Sequence, residues 1–396
     1  MRTLVTIKTI DDLKPIEGAD RIENAIIGGW SVVTQKNIHK VGDNVAYFEI
    51  DTFLPEGNPL FDEYVERGTK KSTSPYTDQE VQGHVLRTIK IRGQYSQGTI
   101  MPLHEIGLRE DSTQEEIQSW MKENGVFKYE PKVNLNTGSA KGSFPSIVIM
   151  SNTNNPVQVR KTDSERVQNL SDEWLQSLNA QDWFATEKLD GTSFTAVCDD
   201  DGETHIASRN LEISIVPDAE IEADRKRYAE EHKKLAEMEK SFMSRGEEID
   251  YTKLPRIKKV KEKSLYQTIA DRLDLFNLMN PGQLIQGEIV GPNIQGNKLN
   301  LDNLQLFVFH TEGIDKESTL YKDIVSPREV PKLDMELPTT VSQAIEQVDG
   351  MKSTVNPKVL AEGVVWWNRK GEVFTETGMR PNFKAINNKF LLKNGE

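Results

Sequence analysis

The 396-residue chain has one cysteine, Cys198, and only six histidines, scattered along its length. A single cysteine excludes an internal disulfide and any zinc site built on several thiolates, and it fits a reducing compartment. The sparse histidines argue against a His-rich metal site. No stretch approaches the ~20 apolar residues needed to span a membrane. The first residues, Met1 to Ile7, alternate like a strand and lack the apolar core and cleavage site of a secretory signal. No Gly-x-x-x-x-Gly-Lys-Ser/Thr sequence is present, which excludes a P-loop cradle for nucleotide phosphates. A surplus of positive charge is also missing: 62 acidic against 49 basic residues give a net charge of −13. That excludes nucleic-acid binding through overall charge but leaves a local basic groove open.

What is present is an ordinary globular composition, 36% hydrophobic and 28% charged, long enough for two or three domains with buried cores. Residues 1 to about 108 read as all-β. Short alternating runs recur at Leu4–Ile10, Glu23–Ile27, Trp30–Thr34, Val45–Ile50, Val85–Ile91 and Gly98–Leu103, separated by turn signals at Gly28-Gly29, Gly42-Asp43, Pro55-Glu56-Gly57 and Gly93. Five or six such strands in about a hundred residues predict a small barrel of the OB type. Arg87, Lys90, Arg92, Gln94, Tyr95 and Gln97 form a basic, aromatic-bearing patch, either a face for nucleic acid or a solvated edge strand. A capped helix is predicted from Ser112 to Asn124, with Ser112 or Thr113 as N-cap. Lys132–Ser143 is rich in Gly, Ser and Asn and reads as a linker. The expected organisation is a barrel domain at 1–130, a linker at 131–145 and a second domain at 146–396.

In that second domain Thr162–Leu178 reads as a helix, with Trp174, Leu175 and Leu178 on one face and Asp163 or Ser164 as cap. Pro217 to about Arg245 is a charged helical stretch with a sparse apolar stripe, opening an insert at about 217–262. It is a solvated helix or a partner surface. Ser264–Leu278 carries Leu265, Ile269, Leu273 and Leu275 at helical spacing and reads as core-facing.

The chemistry centres on Glu187-Lys188-Leu189-Asp190-Gly191. Apolar alternation on both sides of the glycine is a hairpin-like signal. Lys-x-Asp-Gly alone is a common surface turn. A free lysine, with a pKa of about 10.4, is a poor nucleophile until burial or a nearby cation frees the amine. Three further charges sit in or at the mouth of apolar strands: Glu288 in Leu284–Gly291, Glu362 before Gly363–Trp367, and Lys384 in Phe383–Ile386. Each has a bland reading as an edge-strand charge, but carboxylates are costly to bury unpaired. Two lysines and three acids on one cleft suit nucleotidyl transfer, with Asp190, Glu288 and Glu362 holding a hard divalent cation.

The series Glu-Lys-x-Asp-Gly (187–191), Ser-Arg-Asn (208–210), Gly-Glu-x-x-Gly (287–291), Phe-x-Phe (307–309), Glu-Gly-Val-Val (362–365) and Phe-Lys (383–384) resembles the covalent nucleotidyltransferase superfamily of polynucleotide ligases and RNA capping enzymes. More narrowly it resembles ATP-dependent RNA ligases of the Deinococcus–Naegleria type, in which an OB domain precedes the ligase domain. Two further stretches, 16–23 and 161–169, carry the same likeness. The resemblance implies an α+β chain: an OB-type β-barrel followed by an ATP-grasp-like nucleotidyltransferase domain of antiparallel sheets flanked by helices. It implies ATP and Mg²⁺ or Mn²⁺ as cofactors. Lys188 is then the adenylated nucleophile, Asp190 a metal-water or amine contact, and Glu362 the support of the metal. Lys384 meets the α-phosphate, Glu288 the ribose, and Phe309 stacks on adenine. Arg209 touches nucleotide and 5′-phosphate, Arg166 reaches the leaving pyrophosphate, and Glu187 belongs to the nucleotide site. The partner is RNA, or an RNA-containing nicked duplex, sealed by a monomer working in RNA repair. Its place is the cytoplasm, or a host cytoplasm for a phage or viral protein, away from membranes.

The chain departs from the pattern at Ser193, where relatives such as phage-type RNA ligases have Asn. It departs again at Ile386, where many have a second lysine that Lys389 could replace. It also ends soon after the last motif, with no clamping domain expected there. DNA ligases and capping guanylyltransferases, the same-superfamily alternatives, carry their OB domain after the last motif. The different-class alternative is a nucleic-acid-binding protein with a decayed catalytic domain.

Overall fold

The computed structural model describes residues 4–129, 140–143, 159, 164–245, 254–370 and 382–394. The chain divides into two compact units. One holds Met1–Lys132, Asp163–Asp190 and Pro331–Glu396; the other holds Val133–Thr162 and Gly191–Val330.

The first unit begins with the expected barrel. Val5–Thr9, Asn44–Phe48 and Thr99–Pro102 form one antiparallel sheet, with Asn44–Phe48 central. Asp12–Pro15, Ile22–Ile27 and Trp30–Gln35 form a second, and Phe127–Lys128, Thr52–Pro55, Glu80–Val85 and Lys70–Thr73 a third. Asn44–Phe48 reads as an unbroken apolar run because both its faces are covered. Ala46 and Phe48 join a core with Leu4, Phe61 and Trp120, while Val45 and Tyr47 join another with Ile27, Trp30 and Val32. The run expected at Val85–Ile91 is two strands, since the chain leaves one sheet at Val85 and enters a separate hairpin, Thr88–Ile91 with Gln94–Gln97. The capped helix is Gln114–Glu123. Thr113 and Glu116 make a reciprocal capping box that satisfies two N-terminal donors.

The same unit carries a five-stranded sheet in the order Glu165–Arg166, Asn382–Ile386, Gly363–Asn368, Trp183–Lys188, Lys332–Leu333. Only the pairing of Glu165–Arg166 with Asn382–Ile386 is parallel. One face buries Trp183, Ala185, Val364, Trp366, Phe383 and Ala385 against Leu175 and the helix Val341–Val348. The large side chains among them contribute about 1.5–3 kcal/mol each when fully buried, so this apolar face fixes which residues point the other way. The barrel and this sheet meet in an apolar cluster of Ile50, Ile386, Phe390 and Leu391.

The helix expected over Thr162–Leu178 is shorter. Glu165–Arg166 is a strand, Val167–Asn169 a 3-10 turn, and only Asp172–Ser177 is α-helical, capped by Ser171 rather than Asp163 or Ser164. Lys161 to Asp163 lie outside the described residues.

The second unit is built on a six-stranded sheet: Ala140–Ser143, Leu211–Ile213, Thr204–Ala207, Thr192–Cys198, Leu284–Val290, Gln305–Glu312. Ala140–Ser143 thus pairs as an edge strand inside the expected linker, most of which lies outside the described residues. One face packs Phe194, Ala196, Ile206, Ile285, Ile289 and Val308 under Tyr266, Ile269 and Leu275. The helix expected over Ser264–Leu278 breaks: Ser264 caps Leu265–Arg272, the left-handed Asp274 interrupts, and Leu275–Leu278 follows. Asp218–Ser244 is a long helix that buries only Ile221, as its charge pattern implies. Residues 246–253 of the insert lie outside the described residues. Among the described residues no helix is long and apolar enough to cross a membrane.

Candidate active site

The hairpin reading around Gly191 is corrected by the pairing. Trp183–Lys188 pairs with Gly363–Asn368 in the first unit, while Thr192–Cys198 pairs with Thr204–Ala207 and Leu284–Val290 in the second. The turn Leu189–Gly191 therefore passes the chain from one sheet to another. Alternation on both sides of it reflects two strands of different sheets, not one hairpin. Gly191 is required by close approach, since a Cβ there would collide with the Ile289 carbonyl oxygen and the Val290 side chain.

Strand register builds the first unit's site. Ala185 and Trp183 commit to the apolar core, which turns Phe184, Thr186 and Lys188 to the opposite face. Thr186 pairs with Val365, Val365 with Lys384, and Lys384 with Arg166. One cross-strand row therefore carries Arg166 and Lys384, with Lys188 two residues farther along its own strand. Lys188 pairs with Gly363, and Glu362 lies just before that glycine. The Lys188 Nζ donates to a Glu362 carboxylate oxygen at 2.7 Å, with the two side chains 25% and 12% exposed. A carboxylate at this distance fixes where the amine points. Gly363 is needed beneath the pair, because a Cβ would strike the Ala385 carbonyl oxygen.

Glu187 is placed on the apolar face of its strand, opposite to Lys188. Its Oε2 accepts from the Thr354 backbone N–H at 2.7 Å and from the Thr354 hydroxyl, while its buried Oε1 has no hydrogen-bond partner among the described residues. Asp190 is half-buried at the end of the first unit's segment. Arg166 is 7% exposed; its guanidinium lies 5.8 Å from the ring centroid of Trp30, and Nη2 lies 3.9 Å from an Asp51 carboxylate oxygen.

Ile386, at the position of the relatives' second lysine, is committed to the cluster with Ile50 and Phe390. Lys389 sits on the helix Asn388–Asn394 and pairs with Asp349 at 2.9 Å. The basic patch is likewise only partly a surface: Gln97 is buried and donates to Asn388 at 3.1 Å, while Lys90 lies over the Tyr95 ring at 5.5 Å.

In the second unit the sheet face away from the main core is apolar at Val197, Ala207 and Leu284 and polar farther along. Glu288 pairs with Ser193 on one side and Phe307 on the other, and Gln286 donates to Thr195 at 3.2 Å. A register shift between Gln286 and Gly287 leaves Phe309 beside the irregularity, half-buried. Arg209 occupies the turn between Thr204–Ala207 and Leu211–Ile213. Under this sheet Tyr266 bonds the Thr192 hydroxyl at 2.8 Å, and burial pushes its phenol up to about 12. Sequence reasoning did not anticipate the cluster around His205. Its Nε2 faces Asp199 at 3.0 Å and its Nδ1 faces Glu212 at 2.9 Å. Burial lowers the imidazole's proton affinity, but the two carboxylates outweigh it and hold His205 above its ordinary value.

A buried sheet ending in a lysine–glutamate pair, with an arginine and a second lysine on the same face and a small barrel alongside, defines a nucleotidyltransferase-type architecture. The sequence profile of the RNA ligase family matches residues 181–386, more than half of the chain, and an OB-fold domain profile matches residues 4–103. The chain belongs to the RNA ligase family. It is similar over 99% of its length to the whole of a solved Naegleria gruberi RNA ligase point mutant with ATP and Mn, at 26% identity and a TM-score of 0.68. The same ligase with PPi gives 28% identity and 0.67, covering 99% of this chain and 98% of that one. A further mutant with AMP and Mn gives 27% and 0.67, covering 98% of each. No curated protein sequence matches.

Proposed function

We propose that this RNA ligase is ATP-dependent and joins 3′-hydroxyl to 5′-phosphate ends through a lysyl-AMP intermediate. The observation that carries the reading is the Lys188–Glu362 contact at one end of a face that also presents Lys384 and Arg166. The Lys188 amine, once it has given up a proton, attacks the α-phosphorus of ATP. A P–N bond forms, the bond to the β-phosphate oxygen breaks, and pyrophosphate leaves. A 5′-phosphate oxygen of the nucleic acid then displaces the lysine, giving an adenylated 5′ end. Finally a 3′-hydroxyl attacks that end, a phosphodiester forms and AMP departs.

Lys384 offsets charge on the α-phosphate, and Arg166 offsets charge on the leaving pyrophosphate. From the second unit we assign Glu288 to the ribose, Phe309 to stacking on adenine and Arg209 to the phosphates, on the resemblance and on each group's chemistry. Glu187 joins the nucleotide site as a brace: its hold on Thr354 fixes the strand end that presents Lys188. Asp190, Glu288 and Glu362 offer carboxylate oxygens, the donor set for Mg²⁺ or Mn²⁺, and such a cation, when bound, neutralises phosphate charge. The solved relatives with ATP, AMP, PPi and Mn support this assignment. The single cysteine supports a reducing, cytoplasmic setting, including a host cytoplasm, where a monomer repairs RNA. The domain limits we propose remain 1–130 for the barrel and 146–396 for the nucleotidyltransferase.

The test is adduct formation with α-labelled ATP and with GTP, followed by sealing of nicks that carry RNA or DNA on each side. An ATP-specific adduct that seals only RNA 3′-hydroxyl ends supports the reading; a GTP adduct points to capping chemistry instead.

A further inference from the structure

The long helix Asp218–Ser244 of the second unit sorts its charges by face. Its base is fixed: Ile221 is buried, and the buried Gln267 side chain bonds both backbone groups of Val216, just before the helix, at 2.9 Å. Glu220, Asp224, Arg227 and Glu231 are spaced four, three and four residues apart and share one face. The segment 254–263, with five bases against one acid, returns along that face and occupies its acids. Glu220 pairs with the Lys261 amine, and Asp224 accepts from the Lys261 backbone N–H at 2.7 Å. Arg227 ties Asp224 at 2.8 Å and Glu231 at 2.7 Å, and donates to the Lys258 carbonyl at 3.3 Å. The other face is left with cations. Arg225, Lys226, His232, Lys233 and Lys240 recur seven or eight residues apart, two turns of helix, and all are exposed. Lys226 lies 3.9 Å from Glu222, whereas Arg225, Lys233 and Lys240 have no ion pair among the described residues. Between the cations stand only exposed alanines on this face, Ala229 and Ala236. From Arg225 to Lys240 the row runs about 22 Å.

We infer that this row of cations is a docking surface for the phosphate backbone of RNA, added to the second unit by the insert. The inference rests on the RNA ligase reading above for the identity of the polyanion. In a chain with a net charge of −13, one straight row of uncompensated cations is a local basic track, and a polyanion gains by releasing its counterions there. The small alanines let a backbone lie close to the helix along the whole row. A protein partner would need an apolar or aromatic anchor at the centre of the contact, and this face offers cations and alanines instead. Phosphate contacts position a strand without reading its bases, so the row holds RNA by charge and not by sequence.

The full chain carrying Arg225→Gln, Lys233→Gln and Lys240→Gln together tests this, since glutamine keeps an exposed helix intact. Binding of a nicked RNA duplex is measured by fluorescence anisotropy, without ATP, over a range of salt concentrations. The dissociation constant is expected to rise about tenfold or more at low salt, alike for unrelated sequences, and the slope of its logarithm against that of salt to fall by about two to three. Adduct formation from ATP in the absence of RNA is expected to stay at the native rate. Arg225→Lys with Lys233→Arg and Lys240→Arg keeps every charge and is expected to bind as the native chain does. Lys233→Gln alone, expected to lower the slope by about one, provides a second arm if the triple variant does not fold. Native affinity and slope in the neutralised variants, a loss shared by the charge-preserving variant, or a parallel loss of adduct formation would each overturn the inference. Failure of the native chain to form adduct at all would instead remove the lysyl-AMP reading, and the binding measurement would still decide the role of the row.

Discussion

The Nζ of Lys188 lies 2.7 Å from a carboxylate oxygen of Glu362, joined across two strands whose register runs from Trp183↔Asn368 to Lys188↔Gly363. The acid holds the amine in place at the end of its strand, so the pair is oriented.

Glu362→Gln keeps the shape and removes the charge. Adduct formation is expected to fall about a hundredfold or more, in the range seen when one electrostatic group is lost from an active site. The single-turnover rate with saturating ATP measures it, and an unchanged rate would remove Glu362 from the mechanism.

Phe309→Ala takes away the ring beside the register shift of the second unit's sheet. Stacking on a base is worth ~1–3 kcal/mol, so the KM for ATP should rise roughly ten- to a hundredfold. Phe309→Trp should restore it. A KM that does not respond to the ring would place adenine elsewhere.

Gly363→Ala forces a methyl group onto the Ala385 carbonyl oxygen, between the strand of Lys188 and that of Lys384. Overpacking of this kind costs ~1–3 kcal/mol, and here it also shifts Glu362. The variant should melt earlier and lose adduct formation together. A stable, fully active alanine variant would show that this register is not what sets the site.

His205 gives the second unit a pH-dependent term. Burial disfavours its charge, yet Asp199 and Glu212 raise it above 6.5, so its stabilisation is complete below that value and is lost as pH rises through the higher folded value. For Asp199 burial raises the carboxyl, but the His205 hydrogen bond and two backbone N–H groups bring it below its ordinary value, so its contribution is lost only in acid. Chemical denaturation across that interval should show stability falling on the alkaline side in the native chain. The fall should be absent in His205→Gln; the same slope in both would locate the titration elsewhere.

Much of this architecture was legible in the residues. The barrel strands and their glycine turns, the capping box at Thr113 and the charged helix Asp218–Ser244 each follow from local pattern alone. Lys188, Glu288, Glu362 and Lys384 stood out because a charge in an apolar strand needs a reason. What local pattern could not reveal was pairing. Alternation around Gly191 is the same whether two strands form a hairpin or enter different sheets, and only long-range register decides. The stretch before Trp174 looked helical, yet Glu165–Arg166 adds to a sheet edge supplied by Asn382–Ile386, more than two hundred positions away. Gln97 fitted either a nucleic-acid face or a solvated edge strand until its partner Asn388 was in place.

The most direct test is intact-protein mass after incubation with ATP and Mg²⁺ or Mn²⁺, comparing the native chain with Lys188→Ala. Lys188 is only part-buried, so the variant should keep its fold by circular dichroism. The native chain should gain the mass of one AMP and the variant none. A variant that still gains AMP, or a native chain that never does, would contradict the assignment of Lys188 as the nucleophile.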